Sequence, residues 1–425
     1  MQLEYIISRI TNMFYKEDHW IVMTFWNSLY IGFFLMPLGI NLPTPFFIIS
    51  ILFGIGVIFK APKKFVLDKS LLLFPLYFII MSLGLLHTDD LDSGLHLLQR
   101  SLSLLLFPII FLFVKEDAAS VKRLFNFLLL GLIVSFFVNI FYASDQLINY
   151  VIEENNTIEL FSFIEKAVEG WRYFFIGAAF SQSVHSNYVS IYILLVLSYY
   201  LKNKLQSRLQ FIVIVILFLY LFLLASIAAY LILAIMSLLL ILEIRNKGKK
   251  YTMMIVFFMG VLLFLNNPLV SNFYYGVRDF HKPLVYENAI SEKSRLLSWD
   301  ASIELIKEAP MFGYGTGDAN AVLIKKYDEL DYKVNYRNEY NAHNQFLQTY
   351  LQTGIIGFIT LLSIFVLLAL RMRRSRNEFS VFLILFISLL FESMLVRFSG
   401  IVFFSIVVPL LLKKRSILSS RIIRN

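Results

Sequence analysis

The chain has no cysteine, and only 16% of its 425 residues are charged. The first absence excludes a disulfide scaffold and says little about redox compartment. The second sets it apart from soluble proteins, in which about 25% of residues are charged. So little charge also excludes a disordered chain and a coiled coil. Internal repeats and low-complexity tracts are missing as well. What fills the space is apolar: 58% of the residues, with 43 Phe and 23 Tyr. A water-soluble globule of this length cannot hide that much apolar surface, so the solvent is a bilayer. The net charge of +9 does not point to nucleic acid, because Lys and Arg in membrane proteins mark the cytoplasmic side.

A helical span needs about 20 mostly apolar residues. Twelve candidates can be read, at roughly 20–40, 44–60, 69–86, 95–114, 124–143, 186–202, 207–224, 226–243, 251–266, 353–371, 378–394 and 398–412. The stretch 207–243 is read as two helices hinged near Ser226. With both termini in the cytoplasm, 25 of the 38 Lys and Arg fall on the inner side, and the short outer turns hold only Arg397. The expected fold is therefore an all-α membrane protein of about twelve transmembrane helices. It forms a single polytopic domain, 1–425, with spans over 20–143, 186–266 and 353–412. No cleavable signal peptide is expected. Ile6, Ile7, Ile10, Met13 and Phe14 share one helical face, which either lies flat on the membrane surface or is a frayed lead-in.

Two long segments, 144–185 and 267–352, face outward, and chemistry concentrates on such ordered loops. In the first, Leu160, Phe161, Ile164, Val168 and Trp171 form the apolar stripe of an interfacial helix. Arg172 follows, as an interfacial anchor or a phosphate or sugar contact. The sixth span opens with His185, Ser186, Asn187 and Tyr188. No second histidine lies at metal-ligand spacing, so no metal is expected.

In the second segment Leu296, Trp299, Ile303 and Ile306 share a helical face, with Ser294 as the expected N-cap, Arg295 in the first turn and Pro310 as the stop. A glycine-rich turn, Gly313 to Gly317, follows. It lacks the strand and lysine of a P-loop, and is either a tight turn or a place where backbone N–H groups approach a substrate. Then Asn341 is expected to cap a helix carrying His343 in its first turn, with Phe346, Leu347, Tyr350 and Leu351 as its apolar face. An outward-facing neutral imidazole is what a general base requires. Within the spans Arg100 is the deepest ionisable group, and Glu392 and Arg397 lie near the end of the eleventh. Such charges are paired or functional.

Three stretches together resemble the O-antigen ligase and O-antigen polymerase superfamily of membrane glycosyltransferases. They are Arg172 with His185-Ser186-Asn187-Tyr188; Ser294-Arg295 with Trp299, Pro310 and the Gly313–Gly317 turn; and Ala342-His343-Asn344-Gln345-Phe346-Leu347 with Gly354 and Gly357. In one departure, Ser226 is followed by Ile227, where the family often has Ser-Arg. The resemblance implies a metal-independent enzyme, with no cofactor, under a helical periplasmic cap. It would take a glycan from undecaprenyl diphosphate at the outer face of the bacterial inner membrane. The acceptor is a lipid A-core sugar in a ligase and a second lipid-linked repeat unit in a polymerase; the histidine motif fits the ligase best. His343 and Arg295 are then the catalytic candidates. Arg172, Arg100, His185, Tyr188, Asn344, Gly315 and Gly317 are the candidate substrate contacts. A secondary transporter is the rival from another class, but it would show matching halves and polar groups at mid-membrane.

Overall fold

The computed structural model describes residues 13–16, 19–60, 68–114, 118–154, 160–200, 207–242, 244–266, 291–373 and 376–413. Ile6, Ile7 and Ile10 of the N-terminal stripe and residues 267–290 of the late loop lie outside these. Met13 and Phe14 turn inward on the bundle, where Phe14 meets Phe127 edge to face at 5.1 Å.

Among the described residues the chain is all helical, with no strand. The helices in order are α1 Trp20–Leu35, α2 Thr44–Lys60, α3 Leu73–Leu83, α4 Leu91–Phe113, α5 Ala118–Glu154, α6 Leu160–Phe174, α7 Ser186–Tyr200 and α8 Arg208–Leu224. Then come α9 Ile227–Leu242, α10 Lys247–Leu265, α11 Ser291–Glu308, α12 Ala319–Glu329, α13 Lys333–Arg337, α14 Gln345–Met372, α15 Arg376–Phe391 and α16 Phe398–Leu412. Five stretches are long and apolar enough to cross a membrane: 69–87, 91–113, 119–152, 247–265 and 345–372. Six further apolar helices are shorter.

The surface confirms which solvent this bundle needs. Phe59 and Leu86 are 84% and 83% exposed, and α10 buries none of its residues. Contiguous apolar surface of that extent is stable only against lipid. Inside, large aromatics fill the gaps between helices: Phe25, Trp26, Tyr30 and Phe33 of α1 pack with Phe111, Phe47, Phe127 and Phe403. At the centre stands α7, buried without interruption from Ser186 to Ser198. The residues at its N-terminal end are therefore held by the best-packed element of the molecule.

Several expected boundaries move. The helix of the fifth candidate span does not stop at 143, because α5 runs on to Glu154. α15 ends at Phe391, so Glu392 lies beyond the spanning helix. The tenth span and the histidine-motif helix merge into α14, kinked at Gly354. Residues 207–243 do divide into α8 and α9, as Ala225 adopts a left-handed conformation (φ 48°) between them.

The late loop has its own small core of Ala301, Leu305, Ala319, Leu323, Tyr327, Ala342 and Leu351. Its main helix, α11, does not bury the face read from its bulky residues: Ile303 is 47% exposed. It buries Ser294, Leu297, Ser298, Ala301, Ser302 and Leu305 instead. Small residues allow close approach here, and the hydroxyls stay satisfied. Ser298 Oγ accepts from Tyr327 Oη at 2.9 Å and from Asn335 Nδ2 at 2.9 Å, and Ser302 Oγ donates to the Ser298 carbonyl at 2.6 Å. A serine-lined face is invisible to a reading that counts only apolar residues.

The glycine-rich turn clips this unit to the bundle. Thr316 Oγ1 donates to the Met81 carbonyl at 2.6 Å, and the Gly317 N–H donates to Thr88 Oγ1 at 3.3 Å. The Asp318 carboxylate accepts the N–H groups of Asp89 and Asp90 at 2.7 and 2.8 Å. On the other side the Tyr314 N–H donates to the Leu351 carbonyl at 2.7 Å, and the Ile355 N–H to the Met311 carbonyl at 3.2 Å. Gly354 is required at this crossing: its φ is +62°, and a Cβ there would sit 2.0 Å from the Met311 oxygen.

Candidate functional site

Five elements end at one place. The N-terminus of α7 brings His185 and Asn187, the start of α9 brings Ser226, and α11 brings Arg295 and Trp299. The start of α14 brings His343, and the link between α15 and α16 brings Glu392.

His343 is not in the first turn of its helix, and Asn341 is not the cap. The cap is Asn344, whose Oδ1 accepts from the Phe346 and Leu347 N–H groups at 2.9 and 3.2 Å. Asn341 Oδ1 accepts from the His343 N–H at 2.9 Å, making a local turn that leaves Asn344 as the last residue before the helix. His343 itself is held at φ 45°, a left-handed conformation that costs free energy for a residue with a side chain and that concentrates at functional sites. Four groups hold it there. The Asn341 side chain takes its N–H, Trp299 Nε1 donates to its carbonyl at 3.2 Å, the Tyr340 ring meets its ring edge to face at 5.3 Å, and Glu392 faces its Nδ1.

Similarly, Ser294 is not the N-cap of α11. The helix begins three residues earlier, at Ser291, so Arg295 lies in the second turn. Its charge still bears on both Glu392 and His185.

Glu392 Oε1 lies 3.7 Å from His343 Nδ1, an ion-pair separation and not a formed hydrogen bond. Its other oxygen, Oε2, accepts from Asn187 Nδ2 at 3.1 Å. The Glu392 side chain is 4% exposed and that of His343 16%. Burial alone would raise the pKa of this carboxyl. The His343 imidazole, and beyond it the charges of His185 and Arg295, lower it below the ordinary carboxylate range. Desolvation by the surrounding protein is the largest influence on His185 and lowers its pKa. Glu392 pulls it up, while Arg397, Arg295 and His343 push it down. The residue as a whole remains exposed to solvent. Its Nδ1 accepts the Asn187 N–H at 3.3 Å.

The relative placement of His343 and Glu392 is fixed by their neighbours. The Asn344 N–H donates to Ser393 Oγ at 3.2 Å, and Gln345 Oε1 accepts the Leu395 N–H at 2.6 Å. The fully buried Gln345 is in turn joined through Thr349 to Tyr77. These contacts hold the ring and the carboxylate at a set separation before any substrate arrives.

Other expected site residues lie apart. Arg172 is exposed in the last turn of α6, and Arg100 is exposed on α4, about 14 Å along the helix from Leu91. Neither touches the histidine–glutamate cluster among the described residues. Tyr188 is buried one residue beyond Asn187, with its ring 6.3 Å from that of His185. Asn344 spends its side-chain oxygen on the cap. Gly315 packs against Thr88 and Gly317 against Thr88 and Asp90, so the turn serves docking, and the Gly317 N–H is already engaged. Glu392 and Asn187 are not among the candidate site residues read from the sequence, although Asn187 lies within the His185–Tyr188 stretch. The available signal for Glu392 was a carboxylate closing an otherwise apolar helix.

Comparison with known proteins agrees with the motif resemblance. The model of the O-Antigen ligase family matches residues 212–362, from α8 into the middle of α14. That range takes in Ser226, Arg295 and His343 and leaves out Asn187 and Glu392. An uncharacterized protein of Haemophilus influenzae is 31% identical over 71 residues, which is 17% of this chain and 18% of that protein. Over residues 212–362 the chain is thus similar to the O-Antigen ligase family.

Proposed function

We propose that this protein transfers a glycan from undecaprenyl diphosphate to a lipid A-core sugar. The observation that carries the proposal is the convergence of His343, Glu392, His185 and Arg295 at one end of an apolar bundle. His343, backed by Glu392, takes the proton from the attacking acceptor hydroxyl. As the anomeric bond breaks, negative charge grows on the departing diphosphate. Arg295 is the catalytic group that meets it, because a guanidinium keeps its charge and binds phosphate through two parallel hydrogen bonds. A diphosphate leaves without a strong acid, so the chemistry needs no metal and no cofactor. A single inverting displacement is the simplest course.

The wider arrangement is also a proposal. The chain crosses the bacterial inner membrane about twelve times as one polytopic domain, with both termini in the cytoplasm and the site in the periplasm. The unit of α11 to α13 forms a cap over the site, and α6 lies at the outer interface. Arg172 and Arg100 then stand where a lipid diphosphate approaches, with His185 and Tyr188 shaping the acceptor side. The lateral position of Arg100, exposed on a spanning helix, supports a role before the reaction, on the incoming donor.

The test is reconstitution in proteoliposomes with an undecaprenyl-diphosphate-linked glycan and either lipid A-core or a second lipid-linked unit. Glycan on lipid A-core is expected. A ladder growing only on lipid-linked product would mean a polymerase. His343→Ala should lower transfer at least about 10²–10⁴-fold while leaving the protein in the membrane, and wild-type rates in that variant would remove His343 as the base.

A further inference from the structure

We infer that Asn187 is a positioning residue of the transfer site: its amide, oriented by Ser226, fixes the Glu392 carboxylate so that one oxygen faces His343. The inference rests on the reading of His343 as the base.

The terminal torsion of a glutamate is broad, so a carboxylate keeps one orientation only where its oxygens are separately engaged. Glu392 Oε2 is engaged by Asn187 Nδ2 at 3.1 Å, which turns Oε1 toward His343. An asparagine amide poses the same problem one step back, since its two ends have nearly the same shape. Ser226 resolves it. Ser226 Oγ accepts the Ala229 N–H at 3.4 Å at the start of α9, which leaves its own proton to donate to Asn187 Oδ1 at 2.9 Å. The amide nitrogen must then point at Glu392. The chain has one direction: Ala229 N–H to Ser226, Ser226 to Asn187, Asn187 to Glu392, with His343 beyond. All three side chains between Ala229 and His343 are buried, at 5%, 9% and 3% exposure.

The backbone is bent to allow this. Ala225 adopts φ 48° and ends α8, so that Ser226 stands between two helices with its hydroxyl free of an i−4 carbonyl. One continuous helix from 208 to 242 would present Ser226 differently. The Asn187 backbone N–H also donates to His185 Nδ1 at 3.3 Å. The charged and titratable groups that bear on Glu392 are His343, His185 and Arg295, and Asn187 Nδ2 is a donor at Oε2.

The experiment is a double-mutant cycle in proteoliposomes, with a synthetic undecaprenyl-diphosphate-linked glycan as donor and lipid A-core as acceptor. Asn187→Ala should lower kcat about tenfold or more with KM and melting temperature nearly unchanged. In a Glu392→Gln background the same substitution should cost less than about twofold, because its effect passes through that carboxylate. Ser226→Ala should give a smaller loss that also vanishes in the Glu392→Gln background, and Ser226→Thr, which keeps the hydroxyl, should restore the rate. If Asn187→Ala destabilises the protein, the Ser226 cycle carries the test alone. Losses that add in full, or a wild-type kcat in both single variants, overturn the inference. Should His343→Ala be inactive while the cycle is additive, the positioning role falls and the base stands. Should His343→Ala be active, both fall.

Discussion

The two ends of α14 each hold a buried carboxylate opposite a basic group, and they hold it differently. Near the C-terminal end, Asp68 receives both arms of Arg371, at 2.7 and 2.9 Å, and Ser70 Oγ donates to it at 2.7 Å. Some 40 Å away along the helix, Glu392 has one oxygen engaged by Asn187 and the other 3.7 Å from His343. The first arrangement is closed, with a permanently charged fork saturating the acid. The second is open, with a titratable ring one small shift short of a hydrogen bond and a strained backbone behind it. The second pair keeps a titratable ring at ion-pair distance from the acid without saturating it. On the proposed function, the first is a staple and the second the working site.

The sharpest way to break that contrast is to neutralise each acid in turn. Glu392→Gln should lower kcat about ten- to hundredfold per folded molecule, a loss that Asp68→Asn does not produce. A stability loss with an unchanged turnover number would make Glu392 a second staple and remove the distinction.

Much of this was legible in the sequence, and the rest was hidden for identifiable reasons. Apolar runs fixed the helices, since the bilayer demands a helix wherever it demands apolarity. The motifs around Arg295 and His343 hold two residues that the fold brings near Glu392. The exact cap did not follow, because Asn341 and Asn344 are both good caps and only local turn geometry chooses between them. The buried face of α11 was misread because hydroxyls count as polar until their partners, Tyr327 and Asn335, are in view. The Glu392–Asn187–Ser226 chain joins residues up to 205 positions apart, which no spacing rule reaches. The glycine-rich turn left two uses open, a tight turn or an approach to substrate, because close backbone approach is common to both, and here the close neighbours are Thr88, Asp90 and the kink of α14.

Gly354 joins the two ends being compared. Gly354→Ala forces a Cβ into a left-handed position against the Met311 carbonyl. It should cost well over about 1 kcal/mol of stability and lower transfer as well, because the clip that seats α11 over His343 is at the same crossing. Activity per folded molecule that stays at the wild-type level would show that the kink serves folding alone. Asp68→Asn gives the converse of the Glu392 result. It leaves the Arg371 guanidinium half-served, at about 1–3 kcal/mol, and turnover per folded molecule should not change. Thermal melts paired with single-turnover rates separate the two.

The smallest effect expected is the response to acid, and its sign follows from both carboxyls. Burial alone would raise the pKa of Asp68, but Arg371 and Ser70 bring it below the usual range, and Glu392 is likewise lowered by His343, His185 and Arg295. A carboxyl with a lowered folded pKa binds fewer protons folded than unfolded. Its stabilising contribution is complete above the unfolded value, about 4, and drains away as the pH falls toward the folded value. Melting temperature should therefore be flat with respect to these two groups between pH 7 and 5 and decline below about pH 4. Asp68→Asn should make that decline shallower, since one of the two linked protons is gone. At the other end, Glu392→Gln should remove the second linkage with a much larger loss of rate for a comparable change in slope. Acid melting curves that superimpose for wild type and Asp68→Asn would mean the Arg371 pair is no tighter in the folded protein than in the unfolded chain, and the staple would lose its standing as the reference for the open site.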